Sequence, residues 1–181
     1  MLTQKKYDEV CAKALNFLDT HGIVLTSQEK EQLEVADFGL GEIEKTGVQI
    51  IVYVNTERVC AKELIMLPGQ TCPEHMHPTI NGIPGKEETF RCRAGMVYLY
   101  VPGEAAINPA CTPPAAPDGA YTVWHEIKLV PGEQYTLYPD TLHWFQAGPQ
   151  GAIVSEFSTK NSDDMDVFSD KRIIRTPEIC G

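Results

Sequence analysis

Helical periodicity is confined to the start of the chain. Over residues 5–18, apolar side chains recur at helical spacing and form one stripe, made of Tyr7, Val10, Cys11, Ala14 and Leu18. Further on, Thr26 and Glu29 have the spacing of a capping box, in which each side chain satisfies a backbone N–H group of the other residue. The pattern predicts one amphipathic helix over 5–18 and a second, short helix from Thr26 to about Ala36.

The rest of the chain changes to short apolar runs with strand character. Six runs are rich in β-branched or aromatic residues and are bounded by glycine or proline: VQIIVYVN, AKELIMLP, MVYLYVPG, YTVWHEIKLVPG, QYTLYP and AIVSEF. The stretch 102–120 is rich in proline and alanine, and we expect it to be a long surface loop. Several short strands at close spacing, separated by such turns, predict a β-sandwich or barrel.

Length and composition favour a single domain. A chain of 181 residues, 43% of them hydrophobic, can bury a core without disulfides and is short for two domains. We expect an N-terminal helical segment over 1–36, a barrel over 37–172 and a tail over 173–181. The six cysteines are scattered, which indicates free thiols. Because there is no apolar signal segment or membrane-length run, we expect a protein of the reducing cytoplasm.

The charge balance limits the class of partner. The formal net charge is −10 at pH 7. Nucleic acids and anionic membranes require a basic face, so neither is expected as a partner. The composition fits a small, neutral substrate.

Three of the five histidines, together with one glutamate, form a candidate metal site. His75 and His77 are two residues apart, so on a strand both side chains point to the same face. Glu88 follows in GKEETFRCRAG, and His143 in YPDTLHWFQAG. Imidazoles with one carboxylate suit Mn²⁺, Fe²⁺, Co²⁺, Ni²⁺ or Zn²⁺. Taken singly, each histidine is better explained as an ordinary surface or core residue; the set is not, because glycines surround it in a definite pattern.

That pattern resembles the two motifs of the cupin family. The first motif is represented by Gly69, His75, His77, Glu88 and Gly95, and the second by Gly132, Pro139 and His143. Residues 78–87 lengthen the first motif and contain prolines and glycines that indicate a loop. The second motif is one residue short and has Thr141 where a glycine is usual. The resemblance implies a mainly β protein, a double-stranded β-helix (jelly-roll) barrel with the N-terminal helices packed outside.

A longer part of the chain, roughly 37–172, is similar to the small bacterial D-lyxose isomerases. The similarity is carried by DFGLG, VYVNTERVCAKELIMLPGQTCPEHMHP, GKEETFRCRAGMVYLYVPG, YTVWHEIKLVPGEQYTLYPDTLHWFQAG and SEFST. It implies an isomerase that depends on Mn²⁺, for which Co²⁺ or another divalent transition metal can substitute. The metal ligands implied are His75, His77, Glu88 and His143. The substrates implied are D-lyxose with D-xylulose and, in many members, D-mannose with D-fructose. We expect a homodimer.

The same resemblance marks Lys62, Lys86 and Glu156 as active-site candidates. Lys62 alternates with Leu64 on a strand and therefore faces inward, where a lysine needs a partner. Glu156 lies in the apolar run AIVSEF, an unusual position for a carboxylate. Lys86 stands in a charged segment, and solvated charge is the usual explanation for such a lysine.

Glu74 is the second choice of catalytic base. On a regular strand its side chain points away from that of His75, because neighbouring residues face opposite sides. Pro73 precedes it and can disturb the strand. We therefore keep both Glu156 and Glu74 as candidates.

The chemistry of aldose–ketose interconversion fits these groups. The reaction moves a proton between C1 and C2 while the two oxygens exchange carbonyl and hydroxyl character. A metal that holds both oxygens polarises the carbonyl and stabilises the enediolate. A carboxylate beside C1 and C2 can carry the proton as a general base, and lysine ammonium groups stabilise the developing negative charge.

Two alternatives stay open from the sequence. One is a different cupin enzyme, either a phosphosugar isomerase or an Fe²⁺ dioxygenase, with the same three histidines and one glutamate. The other is a non-enzymatic cupin that binds a sugar. Trp144 and Phe145 flank His143 and either shape a sugar site or fill the barrel.

Overall fold

Two helices precede the sheet in the structure, a computed structural model that describes residues 2–161, 163–176 and 179–180. The first helix, α1, spans Gln4–Thr20 and is capped by the Thr3 hydroxyl, which accepts a hydrogen bond from a backbone N–H in the first turn. The second, α2, spans Ser27–Glu31 and begins with the capping box of Thr26 and Glu29. The first predicted helix and the capping box are confirmed.

The second helix is shorter than predicted. It ends at Glu31, whereas we expected it to continue to about Ala36, and Glu34–Ala36 instead form strand β1. Leu33 and Val35, two residues apart, are both buried in the apolar layer beneath α1. An extended backbone places such a pair on one face, whereas a helix does not.

The described residues contain nine strands that form one curled, antiparallel sheet. After β1, the strands are β2 Val48–Asn55, β3 Cys60–Met66, β4 Thr71–Met76, β5 Glu88–Val101, β6 His125–Leu129, β7 Gln134–Leu137, β8 His143–Ser158 and β9 Val167–Phe168. The hydrogen-bonded order is β1-β2-β3-β8-β4-β9, and β5 pairs with β6, β7 and β8. The prediction of a mainly β, cupin-like barrel is confirmed.

The two longest strands, β5 and β8, pair with each other and join the two halves of the barrel. The first part of β5, Glu88–Gly95, pairs with the end of β8, and the second part, from Val97, pairs with its beginning. Register shifts on either side of Ala94 bend the strand, and Gly95 adopts a φ of 66° at the bend. The runs MVYLYVPG and AIVSEF are therefore the second halves of longer strands. Gly95 in β5 and residues 148–151 in β8 lie at a register shift within the strands and not at turns.

The stretch between β5 and β6 is a loop, as predicted. Residues 102–124 contain no strand or helix. The strand predicted in YTVWHEIKLVPG covers only its middle, His125–Leu129. The loop is not wholly on the surface, because Cys111 and Ala120 are buried.

Apolar side chains pack in two main layers. The barrel interior is filled by residues such as Leu64, Phe90 and Phe145. A second layer joins α1 to the outer face of the sheet and contains Val10, Ala14, Leu18, Ile51, Ile65 and Ile153. The alternation of β2, β3 and β8 explains the division, since successive side chains point to opposite faces. The prediction that the N-terminal helices pack outside the barrel is confirmed.

Five cysteines, at positions 11, 60, 72, 92 and 111, carry free thiols, which agrees with the absence of a disulfide pattern in the sequence. Within the described residues, no helix is long and apolar enough to cross a membrane.

Candidate metal centre and active site

The three predicted histidine ligands meet inside the barrel. His75 near the end of β4 lies directly opposite His143 at the start of β8, and their ring centroids are 4.2 Å apart. His77 follows β4 and projects to the same side. One ring nitrogen of each histidine lies within 4.8 Å of the others, and all three side chains are buried.

Each of these histidines has its Nδ1 atom engaged by an oxygen. The partners are the carbonyl oxygens of Pro73 for His75 and Thr141 for His143, at 2.8 and 2.9 Å, and Oδ1 of Asp166 for His77, at 2.5 Å. A carbonyl can only accept a hydrogen bond, so Nδ1 carries the proton in His75 and His143. The Nε2 atoms are left to face the centre, which is the usual arrangement around a bound metal.

Glu88 completes the group. It is the first residue of β5, and its Oε1 atom lies 3.2 Å from Nε2 of both His77 and His143. Nε2 of His143 is fully buried yet makes no aligned hydrogen bond. A buried nitrogen without a partner is costly unless another ligand takes its lone pair. Three imidazole nitrogens and one carboxylate fit a divalent transition metal.

The charge states of His75 and Glu88 agree with a role as metal ligands. Burial and the neighbouring His143 and His77 hold the pKa of His75 well below its usual value, so it is neutral and can be a ligand. Burial opposes ionisation of Glu88, but the charges of Lys86 and His77 outweigh it and lower the pKa of Glu88 well below its usual range. For His77, burial is outweighed by Glu88 and Asp166, which raise its pKa to about 9. A metal ion that binds here would have to displace a proton from His77 at neutral pH.

A second buried cluster of charges borders the histidines. Lys62 on β3 and Glu156 on β8 are register partners, and Lys62 Nζ lies 3.6 Å from Glu156 Oε1. Lys86 Nζ lies 3.1 Å from the same oxygen and 2.8 Å from Glu88 Oε2. Glu156 thus stands between two lysines. The ordinary explanation of Lys86 as a solvated charge is wrong, because its side chain is buried where the 78–87 loop returns to β5.

Three further charged residues at this site were not predicted from the sequence, namely Asp163, Asp166 and Arg175. They lie in or after the 3-10 helix Asp163–Met165, in a segment that returns over the barrel mouth. Asp163 accepts hydrogen bonds from Lys62 (2.7 Å), Lys86 (3.0 Å) and Arg175 (3.2 Å). The available signal was the acidic run at 163–166, but such a run usually indicates a solvated surface.

Glu74 is placed away from the metal side of β4. One of its carboxylate oxygens accepts from the backbone N–H groups of Thr122 and Val123, and the other from the hydroxyls of Thr122 and Ser169, at distances between 2.5 and 3.0 Å. These bonds tie the loop before β6 and the C-terminal segment to β4. The arrangement favours a structural role for Glu74 over that of a base.

The shortened second motif has a clear local explanation. Asp140 adopts a left-handed conformation, with a φ of 63°, and its side chain accepts hydrogen bonds from the N–H and hydroxyl of Thr79. Asp is one of the few residues that tolerate this conformation. The turn therefore lies at Asp140, one residue before Thr141, the position at which a glycine was expected. The side chain of Asp140 also joins this turn to the 78–87 loop.

The charged groups line a small cavity of about 40 Å³. Its polar wall includes His75, Glu88, the two lysines, Glu156, both aspartates and Arg175. Its apolar wall consists of Phe38, Val48, Ile50, Leu64, Cys72, Phe90, Phe145 and Phe168. Phe145 thus borders the site, whereas Trp144 packs in a separate cluster and stacks on Tyr100 with ring centroids 3.9 Å apart. The mixed polar and apolar lining suits a small polar molecule.

Sequence comparison finds close relatives over the whole chain. The family model for D-lyxose isomerase matches residues 116–180. A D-lyxose/D-mannose isomerase of Thermosediminibacter oceani is 61% identical, with 99% of each chain covered. A D-lyxose ketol-isomerase of a Thermofilum species is 55% identical, again with 99% of each chain covered.

Structural comparison finds the same fold in more distant proteins. The crystal structure of Cellulomonas parahominis L-ribose isomerase with L-ribose has a TM-score of 0.75, at 15% identity, with 99% of this chain and 98% of that chain covered. The L-ribose isomerase of an Acinetobacter strain in complex with L-ribose has a TM-score of 0.71, at 17% identity, with 95% and 94% covered.

Proposed function

This chain belongs to the D-lyxose isomerase family, and we propose that it interconverts D-lyxose with D-xylulose and D-mannose with D-fructose in a metal-dependent reaction. The observation that carries the proposal is the convergence of three buried histidines and Glu88 beside the Lys62–Glu156–Lys86 cluster. The relatives' names support the two sugar pairs. From the family resemblance we also propose a homodimer located in the cytoplasm.

His75, His77, Glu88 and His143 would hold the metal ion, and Mn²⁺ or Co²⁺ suits this ligand set better than Mg²⁺. When bound, such an ion supplies Lewis-acid polarisation of the sugar's carbonyl group. The chain's own contribution is to orient the ligands: Asp166, Pro73 and Thr141 fix the direction of the three imidazoles. That fixed orientation limits the reorganisation needed when the ion and the sugar enter.

Glu156 is our candidate for the base that moves the proton. Its carboxylate would take the proton from C2 of the aldose and return it to C1, while the hydroxyl proton of O2 passes to O1, which yields the ketose. Lys86 and Lys62, at 3.1 and 3.6 Å from Glu156 Oε1, hold the carboxylate in place. Each ammonium group already faces three polar partners, Glu156 and Asp163 for both lysines, with Asn161 for Lys62 and Glu88 for Lys86. A sugar oxygen on which negative charge develops would take the place of one of these partners. Burial of all three side chains keeps water from screening these interactions.

The pairing of charges in the cavity favours a neutral sugar over a phosphosugar. Among the described residues that line the cavity, each lysine and arginine already lies within 4 Å of a carboxylate, namely Lys62, Lys86 and Arg175. A phosphate dianion would need to displace one of these carboxylates, because no basic side chain is left to bind it. A sugar hydroxyl is also a donor, so it can bind to one of these carboxylates without displacing it.

The test is a substrate panel on protein that has been stripped of metal and reloaded with Mn²⁺. We expect ketose from D-lyxose and D-mannose, which share the configuration at C2 and C3, and little from their C2 epimers D-xylose and D-glucose. A preference for D-xylose over D-lyxose would contradict the proposal. Oxygen uptake would indicate a dioxygenase, and saturable sugar binding without turnover a non-enzymatic sugar-binding protein.

A further inference from the structure

An outer pocket of about 220 Å³ lies beside the small cavity at the metal centre. Its described lining includes none of the proposed metal ligands and not Glu156. Among the described residues, four line both spaces and so form the partition between them, namely Ile50, Lys62, Asp163 and Arg175. We propose that this outer pocket receives the end of the sugar away from C1, and that the Arg175 side chain moves aside to join the pocket to the cavity. The inference rests on the proposed sugar isomerisation and makes its binding site more specific.

The cavity by itself is too small for a sugar. A volume of about 40 Å³ has room for only a few water molecules. A pentose has five carbons and five oxygens, and a binding site usually encloses most of the surface of its ligand. With C1 and C2 beside Glu156, the remaining carbons must therefore occupy space beyond the wall of this cavity.

Arg175 is the part of the partition that is easiest to displace. Its Nη1 atom lies 2.5 Å from Glu34 Oε1, and its Nη2 atom lies 3.2 Å from Asp163 Oδ2. The side chain of Glu34 is 42% exposed, and an ion pair with such a partner contributes little net free energy. When Arg175 moves away, Asp163 keeps its contacts with Lys62 and Lys86. The charged cluster beside the metal centre therefore stays paired.

A second neighbouring groove lies behind a wall that is harder to open. It runs under the 78–87 loop and, among the described residues, shares only Lys86 with the cavity. Lys86 is buried, and its Nζ atom lies within 3.1 Å of three carboxylates, those of Glu88, Glu156 and Asp163. Displacing it would take a cation away from all three, which costs much more than opening a half-exposed ion pair. The outer pocket is therefore the favoured extension of the cavity.

The lining of the outer pocket suits the hydroxyl groups of a sugar. Side chains that donate or accept hydrogen bonds surround it, namely Glu34, Asn161, Asp164 and Thr176. Ile50 and Val52 form an apolar side, against which C–H groups can pack. Val52, Asp164 and Thr176 are exposed, so the pocket opens to solvent. A space that is open at its far end admits a fifth or a sixth carbon, as the proposed pair of substrates requires.

Val52→Trp tests the pocket by filling it. Val52 lies on β2 and is 39% exposed, so the fold should accommodate a larger side chain there. We expect kcat/KM for D-lyxose and for D-mannose to fall about 10-fold or more in the Mn²⁺-loaded variant, the scale on which a pocket rejects a misfit, with metal content unchanged. Thr176→Trp fills the same pocket from the C-terminal segment and keeps the test valid if Val52→Trp folds poorly. Unchanged kcat/KM in both variants would overturn the proposal.

Val54→Trp is the matched control. Val54 belongs to the same strand and is 38% exposed, but it borders a different surface pocket. Its replacement should leave kcat/KM for both sugars unchanged. If Val54→Trp lowers these values as much as Val52→Trp does, added bulk on this strand explains the loss and the proposal fails.

Arg175→Met tests the movable partition. Binding of a ligand to this variant no longer includes displacement of the guanidinium group. We therefore expect the affinity of the Mn²⁺-loaded protein for D-arabinitol, the alditol of D-lyxose, to rise about 2- to 5-fold, the equivalent of a half-exposed ion pair. Arg172→Met is the control for net charge, since Arg172 lies in the same segment, is half-exposed and pairs with Asp170; its affinity should not change. Unchanged or weaker binding by Arg175→Met, or an equal rise in Arg172→Met, would overturn the role of Arg175.

The same calorimetry separates this inference from the proposed function, because an alditol requires no turnover. Val52→Trp should weaken the binding of D-arabinitol about 10-fold relative to the wild type. A wild type that binds D-arabinitol but turns over neither sugar would refute the proposed function, while the alditol affinities would still decide the role of the outer pocket. Equal affinities of the wild type and Val52→Trp, or no binding by the wild type, would overturn the inference.

Discussion

The buried charged side chains at this site each lie close to a partner of opposite charge. Glu156, the proposed base, has two lysine ammonium groups on the same carboxylate oxygen, and Ser158 donates to that oxygen as well, at 3.2 Å. Both lysines also contact Asp163. Each of these buried charges therefore has a partner of opposite charge, which offsets the free-energy cost of removing it from water. It also means that a substitution should be chosen to remove one charge and preserve the shape.

Glu156→Gln meets that requirement. We expect it to lower kcat by ~10²–10⁴, the usual contribution of general acid–base catalysis, with metal content unchanged. In wild-type protein, turnover in D₂O should place deuterium at C1 of the ketose or C2 of the aldose, because a protonated carboxylate can exchange with water. The measurements are steady-state kinetics, metal analysis and NMR of the products.

The other possible outcomes correspond to three alternatives to Glu156 as the base. No deuterium incorporation, with near-normal activity of the Glu156→Gln variant, would indicate a hydride shift, in which the original hydrogen crosses intact. Incorporation without loss of activity would return attention to Glu74 as the base. A loss of metal in the variant would assign Glu156 to the support of the metal centre.

Asp166 is the residue expected to orient His77. Asp166→Asn keeps the size but replaces the negatively charged acceptor at 2.5 Å from Nδ1. We expect Mn²⁺ affinity to fall ~10- to 100-fold, as is typical for an outer partner of a ligating histidine. Titration of the metal-free protein with Mn²⁺ measures it. Asp164→Asn is the control, since Asp164 is exposed and two residues away; an equal effect there would attribute the change to net charge alone.

At the scale of whole elements, the segment after β8 carries much of the site. It contributes Asp163, Asp166 and Arg175, and Phe168 of β9, which stacks on His75. The segment is held to the barrel by short pairings of β9 with β4 and by the bonds of Ser169 to Glu74. Arg175 also reaches Glu34 on β1 at 2.5 Å. The site is therefore assembled only when this segment is docked.

Glu74→Gln tests that docking. Both carboxylate oxygens accept hydrogen bonds from the 122–123 loop or Ser169, and an amide replaces one acceptor oxygen with a donor. We expect the free energy of unfolding to fall by about 1.5–3 kcal/mol, the contribution of a hydrogen bond to a charged group. Denaturant unfolding of the metal-free protein measures it. If instead stability is kept and kcat falls by orders of magnitude, Glu74 acts in the chemistry.

For the whole molecule, the metal ion should couple activity to stability. Chelation should abolish activity, and Mn²⁺ or Co²⁺ should restore it better than Mg²⁺, which prefers oxygen ligands. Because the ligands come from β4, β5 and β8, binding should also stabilise the fold, by about 2.7 kcal/mol at a free metal concentration 100-fold above Kd. Thermal unfolding with and without Mn²⁺ measures the shift in Tm. Full turnover by metal-free protein would refute the metal dependence.

The sequence determined those features that depend on local backbone geometry. The apolar stripe over 5–18 identified the buried face of the first helix. The capping box at Thr26 identified the start of the second. The two-residue spacing of His75 and His77 was enough to place both on one face of a strand, and the two cupin-like motifs added Glu88 and His143. The short apolar runs bounded by glycine or proline located most of the barrel strands.

Only the tertiary structure decided which distant charges are buried together. Asp163 lies about a hundred positions from Lys62, and no periodicity links them; the chain must first close a barrel and return across its mouth. In sequence, Lys86 and Asp166 look like solvated charges, because burial of a charge depends on a partner that the local pattern does not contain. The same holds for β1: the sequence after Glu31 permits a helix, and the decision came from the free energy of packing Leu33 and Val35 beneath α1.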